Sequence, residues 1–572
     1  MPAEMNFMIG GEAGQGVQSI GFLLSKAFAR GGHHIFADQD YESRIRGGHS
    51  FFRVRVKDKP VYAIVEPVDM LLALNKETID LHLKELTPKG IIIYDGEKIK
   101  LPNSDSKLFS VPLEKLVEEA GGKIMSNTVA LGAALGLIKY DFELLAKLLR
   151  EHFGRKGDIA EANVKAAKAG FDYAGKEFTG DFPHHLSPIG DGKRLLLNGT
   201  DAVSLGALAA GCKFVSAYPM TPTTPIMEYI ASKSKDFNVV VVHAEDEIAA
   251  MNMAVGAGYV GVRAMTATSG SGFCLMVEGL GLAGITETPI VVVEGQRPGP
   301  AVGLPTRTEQ GDLEFILYAH HGEFPRSVLT PATIEDCFWQ TAKAFNLAEK
   351  YQTPAIVIID HHLATAYNTV EIPDISKITI ERGEIFTDAM GDPAQYKRHK
   401  VTASGVSPRA LPGLGKALVV TDCDEHSEAG HLTESAEDRT QQVSKRLRKM
   451  DGLRNEIAPP RRYGPETAET TLIGWGSTYG ALSETVDILR QDKVDINLLH
   501  FNEIWPFPAD AAMAALSASK KVYDVESNAT AQLAHILRAE TGKKVDGKIL
   551  RFDGRPITPA FIIEQMRKEG YL

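Results

Sequence analysis

Only four cysteines occur in 572 residues, and Cys212, Cys274, Cys337 and Cys423 stand singly with no CxxC among them. Their spacing suits neither a cysteine-ligated zinc site nor an iron–sulfur site, so they read as buried or incidental thiols. Excess basic charge is also missing: 62 lysines and arginines face 73 aspartates and glutamates, a formal charge of −11. That balance argues against a nucleic-acid groove and does not favour docking of an acidic protein partner. No apolar run reaches the ~18 residues needed to cross a bilayer, so no membrane partner is expected. The opening "MPAEMNFMIGG" has no basic region ahead of a long apolar stretch, so no secretory leader is read and a cytoplasmic location is expected. What is present is ordinary globular material, 44% hydrophobic and 24% charged, long enough for roughly three or four domains.

The first ~180 residues alternate strand and helix patterns. "MNFMIGG", "SFFRVRV" and "GIIIYDG" read as strands, and Val17 to Arg30 as an amphipathic helix. The first turn, "GGEAGQG", puts Gly10, Gly11, Gly14 and Gly16 between strand and helix, which serves either a phosphate or tight packing. "FPHHLSPIGD" reads as a linker. A second α/β region follows, with "GTDAVSLGALAAG" as a helix, "CKFVSAYPM" as a strand, Val239 to Val242 as a buried strand and a small-residue helix from Ile248. Strands ending in polar turns fit a parallel sheet with functional loops at one edge. Residues 386–465 are charge-rich and weakly periodic, and read as an extended connection. The expected domains are 1–182, a linker at 183–192, 193–385, the connection at 386–465, and a last α/β unit at 466–572.

Within the second region, "SAYPMTPTTPIMEYIA" carries Pro219, Pro222 and Pro225 with threonines between them. Prolines fix φ and remove backbone donors, so a strand stops here and a helix starts at Pro225 with Thr224 as its N-cap. Glu245 lies at a strand-to-helix junction, where a carboxylate either caps a helix or does chemistry. "TATSGSG", with Thr268, is a hydroxyl-rich turn, and "GLPTRTEQGDL" offers Arg307, a surface ion-pair residue or a carboxylate clamp. "EHSEAGH", Glu425 to His431, sits in irregular chain and lacks a third ligand motif, so no metal is assigned.

"YPMTPTTP", "HAEDEIAAMNMAVGAGYVGVRAMTATSGSG" and "GLPTRTEQGDL", in this order, resemble the α subunit of the 2-oxoacid:ferredoxin oxidoreductases. "GEAGQGVQS" with "SRIRGGHSFFRVRV" resembles that family's γ domain, fused ahead of α. "SGVSPRALPG", "DEHSEAGH" and "VESNATAQLA" resemble its connecting segment and transketolase-C-like domain. The resemblance implies an α/β fold: a Rossmann-like γ domain, a thiamine-diphosphate-binding pyrimidine-type domain and a transketolase-C-like domain. It implies oxidative decarboxylation of a 2-oxoacid with coenzyme A, electrons passing singly through iron–sulfur clusters to ferredoxin. Glu245 matches the glutamate that binds the aminopyrimidine ring, with Glu247 as the alternative register. Pro219 and Thr268 are implied as further cofactor contacts, and Thr221 and Arg307 as the binders of the substrate carboxylate. Met220 replaces the usual branched residue, and His361 and His362 stand where many relatives carry Asp–Gln; a core role, a surface role and contact with a distal substrate carboxylate stay open for them.

The diphosphate and Mg²⁺ of this superfamily are held by GDG with an asparagine some 25 to 30 residues later, as the resemblance implies. The one GDG here, Gly190 to Gly192, falls in the linker and reads as a turn. A separate β subunit is therefore implied, carrying Mg²⁺, [4Fe-4S] and the ferredoxin docking site, in an α2β2 assembly. Fusion of γ to α with the "YPMTPTTPIMEY" pattern looks most like 2-oxoglutarate members, with succinyl-CoA as product. A pyruvate or branched-chain 2-oxoacid enzyme, or a non-catalytic CoA- or nucleotide-binding subunit, is the alternative.

Overall fold

Alternation along strand Glu4–Glu12 sends Met5, Phe7 and Ile9 into one core and Met8 into another on the opposite sheet face. A computed structural model describes residues 4–43, 47–101, 107–120, 125–154, 158–180, 182–190 and 192–572. Arg44 to Arg46 of "SRIRGGH" and Asp191 of the GDG lie outside them. The chain divides into residues 1–197 with 365–372, and residues 198–364 with 373–572.

The first unit holds an eight-stranded sheet in the order Leu108–Ser110, Leu86–Tyr94, Val68–Ala73, Glu4–Glu12, His49–Lys57, His34–Asp40, Tyr367–Val370, Leu195–Asn198. Glu4–Glu12 runs parallel to Val68–Ala73 and antiparallel to His49–Lys57, so the sheet is mixed. Helix Val17–Arg30 forms over the residues its periodicity predicts. Helices Ser126–Leu137 and Asp158–Glu177 cross so closely that a Cβ on Gly132 would lie 1.9 Å from the Ala167 carbonyl oxygen. Tyr367–Val370 returns to this sheet from 170 residues downstream of Leu197, and no local pattern announces it. Polar side chains hold it: Asn368 Nδ2 donates to the carbonyls of Ile35 at 2.9 Å and Val61 at 2.7 Å, and the Ile35 amide donates to Thr369 Oγ1 at 3.0 Å.

The second unit contains a seven-stranded sheet in the order Glu503–Trp505, Ser327–Leu329, Pro354–Asp360, Ile290–Gln296, Ala264–Thr268, Phe214–Ala217, Val240–His243. All are parallel except Glu503–Trp505. A five-stranded sheet runs Arg461–Tyr463, Ile496–Phe501, Thr470–Trp475, Lys521–Glu526, Gly547–Leu550. One core joins the two sheets, with Val292 and Ile358 of the first and Trp475 and Phe501 of the second in the same cluster.

Two expectations need correction. Val240–His243 is an edge strand rather than a buried one, and Val240 is 57% exposed. The stretch read as an extended connection holds a 21-residue helix, Ala436–Glu456. Its inward face is charged, so hydropathy does not reveal it: Lys445 and Lys449 each place Nζ 2.5 Å from a carboxylate oxygen of the fully buried Glu287.

Candidate active site

The parallel strands of the second unit end along one sheet edge, where α/β proteins bind ligands. After Phe214–Ala217, the Met220 carbonyl accepts from the amides of Thr223 at 2.8 Å and Thr224 at 3.1 Å and from Thr223 Oγ1 at 3.0 Å. Helix Thr224–Ser232 then begins one residue earlier than expected, with Thr223 at the N-cap and Pro225 in the first turn. The turn rests on Gly295, where a Cβ would lie 2.6 Å from Thr223 Cγ2 and 2.9 Å from Pro222 Cγ. Any larger residue would displace it. Two residues on, Arg297 donates from Nη1 to the Thr221 carbonyl at 2.9 Å.

Strand pairing of Gln296 with Asp360 puts Arg297 and His361 at adjacent strand ends. His361 is buried, and burial first, then His362, Arg307 and Arg297, push its pKa down to about 3. The imidazole is therefore neutral at physiological pH. The His362 amide donates to Thr308 Oγ1 at 3.1 Å, and the Thr308 amide to the Gly554 carbonyl at 3.3 Å. Half-buried Arg307 lies against the same Gly554, whose Cβ would sit 3.0 Å from Arg307 Cβ. Thr221, Arg307, His361 and His362, from three separate motifs, thus gather on one rim. Arg297 joins them.

The second part of the rim surrounds a glutamate. Asp246 caps helix Glu247–Tyr259, its Oδ1 accepting from the Ala249 amide at 2.7 Å. The cap is thus Asp246, not Glu245. Glu245 is exposed, whereas Glu247 is 4% exposed and its Oε1 has no hydrogen-bond partner. A Cβ on Gly272 would lie 2.1 Å from Thr268 Oγ1 and 2.5 Å from Glu247 Oε1, so these two groups flank the same glycine. Ser269 Oγ, next to Thr268, is also buried without a partner. Pro219 is half-buried at the entry to the proline turn. A signal for Glu247 was present in the sequence: Glu247, Ala250, Met251, Ala254, Val255 and Gly258 form the buried stripe of the helix at helical spacing. Glu245 precedes that stripe.

Acidic groups lie beside the rim. Burial first and Asp312 next push the Glu294 carboxyl well above its ordinary range, and the same causes push Glu309 up to about 7. The Glu287–His399–His426 group has metal-like spacing, but Glu287 already meets Lys445 and Lys449. It is an ion-pair cluster.

Comparison with known proteins decides the family. Residues 205–445 match the model described as pyruvate flavodoxin/ferredoxin oxidoreductase, thiamine diphosphate-binding. Residues 6–173 match pyruvate ferredoxin/flavodoxin oxidoreductase, and 468–562 match pyruvate:ferredoxin oxidoreductase core domain II. A 2-oxoacid:ferredoxin oxidoreductase subunit alpha from Sulfolobus is 34% identical over 96% of this chain and 95% of its own. The chain belongs to the 2-oxoacid:ferredoxin oxidoreductase family. Within this family, 2-oxoglutarate oxidoreductase subunit KorA from Mycobacterium tuberculosis is 30% identical over 93% of this chain and 86% of its own. The solved 2-oxoglutarate:ferredoxin oxidoreductase from Magnetococcus marinus, with 2-oxoglutarate, coenzyme A and succinyl-CoA bound, superposes with a TM-score of 0.93 at 32% identity, covering 99% of both chains. The expected α/β fold class holds. Among the described residues no helix is long and apolar enough to cross a membrane.

Proposed function

We propose that this oxidoreductase subunit takes 2-oxoglutarate and coenzyme A to succinyl-CoA and CO₂, passing two electrons to ferredoxin, or runs the reverse carboxylation, in an α2β2 assembly whose β subunit carries Mg²⁺, [4Fe-4S] and the ferredoxin site. The observation that carries this reading is the orphaned, buried Oε1 of Glu247. An unpaired carboxylate oxygen in the interior costs about 1–3 kcal/mol, so the chain retains it for a donor supplied from outside. The protonated ring nitrogen of an aminopyrimidine is such a donor, and Thr268 Oγ1 flanks the same Gly272 as the Glu247 oxygen.

When bound, thiamine diphosphate supplies the thiazolium carbon that attacks the keto group and accepts the electrons of the broken C1–C2 bond. Glu247, at the head of its helix, holds the aminopyrimidine in the tautomer suited to proton removal. Glu245 is assigned no cofactor contact in this reading, because it faces solvent. The proline turn presents Thr221 with little ordering left to lose on binding. Arg307 takes the carboxylate beside the keto group. Arg297 supplies a second cation at the same turn, which a dicarboxylate uses and pyruvate does not. The relatives from Magnetococcus marinus and Mycobacterium tuberculosis, both named for 2-oxoglutarate, support that substrate.

The test is to assay the assembled enzyme with 2-oxoglutarate, pyruvate and 2-oxoisovalerate. The highest kcat/KM is expected for 2-oxoglutarate. A higher value for pyruvate rejects the substrate assignment.

A further inference from the structure

The five-stranded sheet reverses its strand order at one place. From Thr470–Trp475 the chain goes to Ile496–Phe501 on one side, then crosses to Lys521–Glu526 and Gly547–Leu550 on the other, all four running parallel. The carboxyl ends of Thr470–Trp475 and Lys521–Glu526 therefore flank the crevice in which α/β sheets bind ligands. In this chain the crevice holds one of its own side chains. Gln310, from the loop that carries Arg307, is fully buried there and engages all four of its polar groups. Its Nε2 donates to the Trp475 carbonyl at 2.9 Å, and its Oε1 accepts from the Ser527 amide at 3.0 Å. Its backbone amide donates to the Ser527 carbonyl at 2.6 Å, and its carbonyl accepts from Asn528 Nδ2 at 3.1 Å. The receiving side is itself fixed: Glu526 Oε2 accepts from Trp475 Nε1 at 2.8 Å and from Asn528 Nδ2 at 2.7 Å. Gly476 leaves the room required, since a Cβ there would lie 2.8 Å from Gln310 Nε2. Gln532 repeats the hold one residue on, its Nε2 donating to the Gly311 carbonyl at 2.7 Å and its Oε1 accepting from the Glu314 amide at 2.9 Å. Upstream of Arg307 the same loop runs through solvent, with Gly299 to Leu304 all exposed.

We infer that Gln310, seconded by Gln532, is a positioning residue for the reaction: the crevice of the C-terminal sheet receives it as a ligand and thereby fixes Arg307 at the rim. The inference rests on the reading of Arg307 as the clamp on the substrate carboxylate. Its physical ground is ordering, because a loop anchored three residues after Arg307 has little backbone freedom left to lose when substrate binds. The anchor also demands an amide. Its donor must face a carbonyl and its acceptor an amide, so a carboxylate at 310 would set oxygen against oxygen at Trp475.

The experiment compares steady-state kinetics and thiamine diphosphate affinity of the assembled enzyme for wild type, Gln310→Met, Gln310→Glu, Gln532→Met, Arg307→Ala and the double variant Arg307→Ala with Gln310→Met. Gln310→Met is expected to lower kcat/KM by about 10-fold or more for 2-oxoglutarate and pyruvate alike, mainly through KM, with cofactor affinity unchanged. Gln310→Glu should recover as pH falls, because the protonated carboxyl regains a donor for the Trp475 carbonyl, whereas Gln310→Met should show no such recovery. In the Arg307→Ala background, Gln310→Met should cost less than about 3-fold more, since the group it positions is already gone. A wild-type KM in Gln310→Met, or losses that multiply in the double variant, overturns the inference and leaves Arg307 as the clamp. Wild-type kinetics in Arg307→Ala overturns the clamp and the inference together. If the Gln310 variants fail to assemble, Gln532→Met decides: a raised KM for both acids supports the inference, and an unchanged KM overturns it.

Discussion

Replacing Glu247 by glutamine keeps size and hydrogen-bonding shape but removes a carboxylate whose Oε1 is buried without a partner. Three quantities should move, in directions a structural role would not combine. In the chain alone, a buried carboxyl oxygen without a partner gives way to an amide that costs less to desolvate, so stability should rise by about 1 kcal/mol. In the assembled enzyme, thiamine diphosphate loses a charge-assisted bond of about 1.5–3 kcal/mol, an affinity loss of roughly 10- to 150-fold. Turnover with saturating cofactor should still fall by about 10² or more, because the remaining amide cannot direct the proton transfer. Glu245→Gln, at an exposed position, should leave stability within about 0.5 kcal/mol and activity unchanged. Urea unfolding, cofactor titration and ferredoxin reduction measure the three effects. Full activity in Glu247→Gln, or the loss appearing in Glu245→Gln instead, would refute the assignment.

Arg307→Ala should cost about 2–5 kcal/mol in kcat/KM for every 2-oxoacid, and Arg297→Ala should cost more for 2-oxoglutarate than for pyruvate; steady-state kinetics of the assembled enzyme checks both. Glu287→Gln would leave Lys445 and Lys449 buried without their shared carboxylate and should destabilise the chain by about 3–5 kcal/mol in urea unfolding. Burial works to raise the Glu287 carboxyl, but Lys445, Lys449 and His399 overcome it and hold the folded group well below 4.5, so this contribution is present above that value and is lost as pH falls through the folded pKa. Glu309 has the opposite sign: its pKa is raised to about 7, so stability should decline as pH rises from 4.5 to 7, and Glu309→Gln should flatten that decline. The effect should stay below about 2 kcal/mol, since solvent screens a half-buried group, and paired melting curves across that range test it.

Sequence by itself determined what local chemistry controls. The periodicity of Val17–Arg30, the proline-stiffened turn at Thr221 and the strand-to-helix alternation of both α/β regions follow from φ restriction and side-chain spacing, which need no distant partner. Tertiary structure decided the rest. Which of two carboxylates two residues apart turns inward depends on where the first helical turn begins, and Asp246, by capping at that point, sends Glu247 inside and leaves Glu245 in water. No local motif singles out Arg297; the sheet brings the end of strand Ile290–Gln296 to the Thr221 carbonyl, which follows a strand two places away. Helix Ala436–Glu456 carries lysines on its buried face, which hydropathy assigns to solvent, because their partner Glu287 lies some 160 residues upstream. The edge position of Val240–His243 is equally non-local, since an apolar run has the same pattern whether a neighbouring strand, or another chain, covers it.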